Sequence, residues 1–196
     1  MARKPAYMDV HSRYFSKPGE RNTKALLDAV SRRAKELSIH RVIVATCSGR
    51  TAMAARKILD PDTQIIAVTH YTGFEKPNHQ ELSRANRREL ESWGVSILTC
   101  QHAFGGVGRG IRRKLATYQV DEIMAYTLRT FGQGTKVAIE LALMAADAGY
   151  VRTDEDIISI GGTSEGADTA LLLRPANSSS VFNLKVREII AKPRDF

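Results

Sequence analysis

Short hydrophobic runs alternate along the chain with amphipathic segments. The runs are rich in Val, Ile, Leu and Ala and are typical of strands that are buried on both faces. The predicted strands are residues 41–46, 64–69, 95–100, 156–160, 169–173 and 184–190. The predicted helices are residues 23–37, 51–59, 80–93, 110–116, 121–131 and 133–148. This alternation predicts an α/β fold with three α/β/α layers around a mostly parallel sheet.

The length and the hydrophobic content of the chain predict an ordinary globular protein. Its 196 residues fit one domain, so we expect residues 1–196 to form a single α/β domain. No segment approaches the roughly 18 apolar residues that a membrane span needs. The first residues have no apolar stretch of the kind found in secretory signals. We therefore expect a cytoplasmic protein with no membrane partner.

The basic residues are too scattered to make nucleic acid the expected partner. The formal net charge is +8, but no long basic run with interleaved aromatic residues occurs. A basic nucleic-acid binder is therefore only the third hypothesis. The two cysteines, Cys47 and Cys100, are too few for a disulfide framework.

The segment Thr-Cys-Ser-Gly-Arg-Thr at residues 46–51 joins a predicted strand to a predicted helix. The N-terminus of a helix offers free backbone N–H groups and a positive partial charge, which favour a phosphate. The guanidinium of Arg50 would add a charge-assisted hydrogen bond. Alternatively, Ser48 only caps the helix and Gly49 only permits the turn.

Several predicted strands end in residues that can bind a ligand or take part in catalysis. These residues are Thr46, Cys47, His70, Cys100, His102 and Gly162. In open α/β sheets, ligands bind outside the carboxyl ends of the strands, so we predict a site at this edge. The alternative is that each strand simply leaves the core there, because threonine is also common in strands.

Two glycine-rich loops and one aromatic segment are candidate ligand contacts. The loop at residues 104–110 does not fit the dinucleotide fingerprint, whereas the loop at residues 161–169 either covers a ligand or is an ordinary hairpin loop. Residues 132–136 end in Gly-Thr-Lys and join two helices, which excludes a P-loop. The segment His-Tyr-Thr-Gly-Phe at residues 70–74 suits the flat face of an aromatic ligand, or packs on the surface.

The cysteines and histidines allow two further interpretations. Cys47, His70, Cys100 and His102 are ligand types for zinc, and a cysteine beside a histidine is a candidate nucleophile. The usual tight spacing of metal ligands is missing, so we predict no metal site. Both cysteines are otherwise explained as small buried residues. The apolar helix at residues 137–148 predicts either a core helix or the subunit interface of a homo-oligomer.

The sequence VIVATCSGRTAMAARKILDPDTQIIAVT at residues 42–69 resembles the C-terminal α/β domain of pyruvate kinases. In that domain a strand, a Ser-Gly-Arg-Ser/Thr turn, a helix and a second strand follow in this order. The segment DIISIGGTSEGADTALLLRP resembles the last glycine-rich loop of the same domain. The catalytic barrel of those enzymes needs about 250 residues, so we do not expect pyruvate kinase activity from this chain.

The chain resembles more closely a family of small, stand-alone, mostly archaeal proteins described as pyruvate kinase alpha/beta-domain-like. The shared motifs are CSGRTA, VTHYTGF, TCQHAFGGVGRGI and GGTSEGADTALLLRPANS. The resemblance implies a fold like that of the pyruvate kinase C-terminal domain and a bound FMN. It leaves open whether the protein is an enzyme.

The resemblance also implies where the ligand binds. Its phosphate would lie on the turn at residues 46–51 and its ring beside the loops. The Trp and Arg pattern of the effector-binding kinases is absent from residues 163–168, which favours a single phosphate joined to an aromatic ring. The predicted cofactor-binding residues are Thr46, Cys47, Ser48, Gly49, Arg50, Thr51, His70, Thr72, Gly73, Phe74, His102, Gly105, Gly162, Thr163, Ala167 and Asp168.

Two functions follow from this site. The first is an FMN-binding protein with a flavin-dependent redox role. The alternative is a non-catalytic module that senses a phosphorylated metabolite.

Overall fold

The computed structural model describes residues 7–196. The strands are β1 Arg13–Phe15, β2 Arg41–Ala45, β3 Gln64–Thr69, β4 Ser96–Thr99, β5 Ile157–Gly161, β6 Thr169–Arg174 and β7 Lys185–Pro193. The helices are α1 Thr23–Leu37, α2 Arg50–Ile58, α3 Arg84–Ser92, α4 Val107–Leu115, α5 Val120–Arg129 and α6 Gln133–Asp147. Short 3₁₀ segments cover Glu20–Asn22 and Ser178–Asn183.

The strands form one sheet in the order β1-β7-β6-β5-β2-β3-β4. The pairs β1/β7, β5/β2, β2/β3 and β3/β4 are parallel. Strand β6 is antiparallel to both of its neighbours, β5 and β7. Because only β6 runs against the others in this described sheet, the prediction of a mostly parallel sheet is confirmed.

Helices cover both faces of the sheet. Alternate residues of β2 point to opposite sides, so that Val42 and Val44 join one hydrophobic core and Ile43 joins the other. The first core contains buried side chains of α1, α2 and α3, and the second contains those of α5 and α6. The predicted three-layer α/β/α fold is therefore confirmed.

Helix α6 is the central helix of the second core. All but three of its residues are buried, because the segment is apolar on nearly every side. The helix approaches the sheet very closely: a Cβ on Gly161 would lie 2.3 Å from the carbonyl oxygen of Gly134. Of the two predictions for this helix, the structure places it in the core of its own chain.

Some boundaries differ from the predicted ones. Strand β1 was not predicted, because its three residues carry no periodic signal; it pairs with β7 through Arg13 and Ala191. Helix α3 begins at Arg84 rather than at residue 80, since the side chain of Ser83 accepts a hydrogen bond from the Asn86 N–H and caps the helix there. Helix α4 begins at Val107, inside the predicted glycine-rich loop.

No helix in residues 7–196 is long and apolar enough to cross a membrane.

Candidate functional site

A cavity of about 730 Å³ lies at the carboxyl ends of β2, β3 and β5. Its volume is in the range of small-molecule sites. Thr46 follows β2, His70 follows β3 and Gly162 follows β5, so the parallel strands deliver these residues to the same edge. The loop at residues 162–166 closes one side of the cavity.

Half of the predicted site residues line this cavity. They are Thr46, Cys47, Ser48, Arg50, Thr51, His70, Gly162 and Thr163. The others are not among the lining residues, and they are Gly49, Thr72, Gly73, Phe74, His102, Gly105, Ala167 and Asp168.

The N-terminal ends of three helices meet at the cavity. Its lining includes Thr23, the first residue of α1, together with Arg50 at the start of α2 and Gln133 at the start of α6. The N-cap residues of these helices make no side-chain capping hydrogen bond. Each helix therefore places the positive end of its dipole at the cavity.

The turn before α2 is held by hydrogen bonds on both sides. The N–H of Gly49 donates to Thr46 Oγ1 at 3.1 Å, and Asn86 Nδ2 donates to the carbonyl of Ser48 at 2.7 Å. Gly49 has a φ of 97°, which favours glycine, and a Cβ there would collide with Leu82. Gly49 therefore lies on the side of the turn that packs against α3 and the residues before it, while Ser48 lines the cavity.

Acidic side chains are numerous around the cavity. The lining carboxylates are Glu20, Glu75, Glu81 and Glu165. Two of them contact Arg50: Nη2 lies 3.0 Å from Glu165 Oε2, and Nη1 lies 3.7 Å from Glu20 Oε1. A ligand phosphate that binds Arg50 must therefore compete with carboxylates.

Asp168 is buried and organises the covering loop. Its Oδ2 accepts hydrogen bonds from the N–H groups of Gly19, at 3.0 Å, and Thr163, at 3.2 Å, and Thr169 Oγ1 donates to its Oδ1. The carboxylate thus joins the loop to the segment before α1. Thr163 Oγ1 is buried and has no hydrogen-bond partner in the described chain.

Cys47, His70 and Glu81 form a compact group on the cavity wall. His70 Nδ1 lies 2.6 Å from Glu81 Oε2, and Cys47 Sγ lies 3.5 Å from each ring nitrogen. Desolvation by the surrounding protein, together with the carboxylates Glu81 and Glu165, raises the pKa of the Cys47 thiol to about 11. The thiol is therefore protonated at neutral pH, unlike the activated cysteine of a nucleophilic enzyme.

Glu81 is one of the cavity-lining residues that the sequence analysis does not predict. It lay within the predicted helix 80–93, where it was one charge among many. Because Ser83 caps α3 and the helix begins at Arg84, Glu81 lies in the segment before the helix, where its carboxylate contacts His70. Cys100, one of the residues considered for zinc, instead packs against the second core.

The predicted aromatic surface is largely occupied by the protein itself. The rings of His70 and Phe74 stack with centroids 3.9 Å apart, and His102 lies 5.2 Å from Phe74. The guanidinium of Arg109 lies 5.3 Å from the centre of the Phe74 ring. Within this cluster desolvation lowers the pKa of His102 to about 4.

The chain matches the family described as "Pyruvate kinase, alpha/beta domain" over residues 24–173. Two solved structures of pyruvate kinase from Cryptosporidium parvum, one of them in complex with ADP, are similar at 16% and 15% identity. Each match covers 79% of this chain with a TM-score of 0.42, and the chain spans only 24% and 23% of those kinases. An NH₃-dependent NAD synthetase from Campylobacter jejuni, in complex with nitrate, is similar at 11% identity, with a TM-score of 0.31, over 57% of this chain and 47% of that one.

Proposed function

This chain belongs to the pyruvate kinase alpha/beta domain family, and we propose that it binds a small molecule through a phosphate group in the cavity beside the turn at residues 46–51. The observation that carries the proposal is the meeting of three helix N-termini, those of α1, α2 and α6, at one cavity. An anion at a helix N-terminus gains about 0.3–1 kcal/mol from each helix at an exposed site. Arg50 supplies the positive side chain.

We propose FMN as the ligand to be tested first. The resemblance of the sequence to an FMN-associated family supports it, and the cavity of about 730 Å³ is large enough for a ligand of that class. The phosphate would contact Ser48 and Thr51, and the loop at residues 162–166 would cover the remainder of the molecule. A flavin in this position would supply redox chemistry, and the protein would orient it.

A comparison of FMN with riboflavin tests this proposal directly, because the two ligands differ only in the phosphate. The first measurement is the visible absorption spectrum of freshly purified protein, which we expect to show flavin. Calorimetric titration of the flavin-free protein should then give tighter binding for FMN than for riboflavin. Equal affinities would contradict a phosphate contact, and binding of neither molecule would exclude FMN.

The second candidate function is a non-catalytic sensor of a phosphorylated metabolite. The stacking of His70 on Phe74 favours it, because the two ring faces that meet are closed to a flavin and Phe74 does not line the cavity. A ligand without a large ring system would still use the turn and the three helix ends. A thermal-shift panel of sugar phosphates and nucleotides, ADP included, distinguishes this function from FMN binding.

Association of several copies of the chain stays a prediction. Light scattering would measure the oligomeric state. Helices α4 and α5 carry exposed apolar side chains and are the first candidate for an interface between copies. These side chains are Val107, Leu115, Val120, Ile123 and Tyr126.

A further inference from the structure

We propose that Cys47, His70 and Glu81 bind a divalent transition-metal ion of the zinc type. The three residues come from separate parts of the chain: the end of β2, the end of β3 and the segment before α3. One ligand atom from each lies within 4.8 Å of the others. Thiolate, imidazole and carboxylate are the three ligand types that zinc uses in proteins. This proposal is independent of the phosphate ligand.

The distances between the three groups are close to those of a tetrahedral site. With zinc bonds of about 2.3 Å to sulfur and about 2.0 Å to nitrogen, the sulfur and nitrogen ligands lie about 3.5 Å apart. Cys47 Sγ and the ring nitrogens of His70 are 3.5 Å apart. Two adjustments admit the ion. The contact of 2.6 Å between His70 Nδ1 and Glu81 Oε2 must lengthen by about 0.8 Å. The His70 ring must also turn, because Cys47 Sγ is equally distant from both ring nitrogens and the lone pair that binds a metal lies in the plane of the ring.

The side chain of Gln80 fixes Glu81 beside His70. Gln80 Nε2 donates to the carbonyl of His70 at 3.0 Å, and the N–H of Leu82 donates to Gln80 Oε1, also at 3.0 Å. The residues on both sides of Glu81 are therefore tied in place. These hydrogen bonds hold the backbone from which the His70 and Glu81 side chains project, and so they limit the freedom of the two ligands.

The charge of the cavity also favours a cation at this position. Glu75 and Glu165 line the same cavity as Glu81, and Arg50 is already in contact with Glu165. A dication would offset this excess of carboxylate. Cys47 would bind as the thiolate, with release of its proton to solvent. Three protein ligands would leave a fourth position open to the cavity, as in catalytic zinc sites.

Metal titration of the untagged, chelator-treated full chain tests the site, with Zn²⁺ or Co²⁺ alone and no flavin or phosphate present. We expect one ion per chain, and for Co²⁺ the intense absorption of a cobalt–thiolate bond. Cys47→Ser should abolish that absorption. Cys100→Ser is the matched control and should retain it, because Cys100 is outside the group.

The affinities of the variants give the second measurement. Cys47→Ser and Glu81→Gln should each weaken Zn²⁺ binding by at least about tenfold. Thermal unfolding checks that both variants fold. If Cys47→Ser does not fold, the Zn²⁺ affinity of the nearly isosteric Glu81→Gln is the test of the site. Wild-type protein that binds Zn²⁺ no better than these variants, or a cobalt–thiolate absorption that survives Cys47→Ser, would overturn the proposal. Because no flavin is present, failure of FMN binding leaves this result unaffected.

Discussion

Arg50 and Glu165 form an ion pair across the mouth of the cavity, with Nη2 3.0 Å from Oε2. Arg50 begins α2 and Glu165 lies on the covering loop, so the pair joins two walls of the site. The two side chains are 61% and 67% exposed, and exposed pairs of this kind contribute only about 0–1 kcal/mol. A ligand phosphate can therefore displace Glu165 from Arg50 at little cost.

Glu165→Gln should tighten the binding of FMN. The substitution removes the carboxylate that competes for Arg50, and the energy of an exposed pair corresponds to a gain of about two- to fivefold. Calorimetry at low ionic strength measures the change. Glu91→Gln is the matched control, since Glu91 is in an exposed ion pair with Arg87 and does not line the cavity. Weaker binding by Glu165→Gln would instead place Glu165 in contact with the ligand.

Ser48→Asp should weaken FMN binding by at least about tenfold. The new carboxylate would lie where the phosphate is proposed to bind, and two negative charges at short range repel. The fold should remain intact, because an acidic residue near a helix N-terminus is favourable. The same change at the exposed Ser179 is the control. An unchanged affinity in Ser48→Asp would remove the turn from the site.

Gly161→Ala should destabilise the fold by about 1–3 kcal/mol or more. A Cβ there would lie 2.3 Å from the Gly134 carbonyl oxygen and 3.0 Å from the Ala138 nitrogen, both of them backbone atoms that cannot move alone. This contact sets the N-terminal end of α6 against β5, beside the cavity. Urea denaturation measures the free energy of unfolding.

Gly110→Ala is the matched control for that substitution. Gly110 lies within α4, and nothing approaches a Cβ at that position within 4 Å. Because alanine favours helix more than glycine does, this variant should be more stable than the wild type by up to about 1 kcal/mol. Equal effects of the two substitutions would contradict the close packing of α6 on the sheet.

The sequence was sufficient to predict the layers and most elements of the fold. The strands β2, β3 and β5 are apolar at nearly every position, so both of their faces must be buried, and this requires a sheet with helices on both sides. The direction of β6 could not be predicted, because an apolar run looks the same in either orientation. Strand β1 was missed because its stability comes from pairing with β7, which is distant in sequence.

The strand ends were the part of the site that could be predicted. Thr46, His70 and Gly162 reach the cavity because parallel strands end at one edge. Glu20, Glu75 and Glu81 could not be recognised, since a carboxylate in a polar segment gives no signal until the chain folds it against other elements. Asp168, a predicted ligand contact, is buried, and its carboxylate accepts hydrogen bonds from the N–H groups of Gly19 and Thr163.

His102 should make the stability of the protein depend on pH between about 4 and 6.5. Desolvation lowers its pKa from the ordinary 6.5 to about 4. The unfolded chain therefore binds more protons than the folded chain in this window, and stability falls as the pH falls from 6.5 to 4. At about 1.4 kcal/mol for each pH unit, the loss amounts to about 3 kcal/mol.

His102→Gln should remove the part of the fall in the free energy of unfolding that comes from His102. The carboxylates are present in both proteins, so their contribution cancels in the difference between them. The measurement is the free energy of unfolding in urea, for wild type and variant, at pH 7 and again near pH 4. His40→Gln is the control, because His40 is exposed. The difference between wild type and His102→Gln should shift in favour of the variant by up to about 3 kcal/mol at the lower pH. A difference that is the same at both pH values would mean that the folded protein does not desolvate the His102 imidazole.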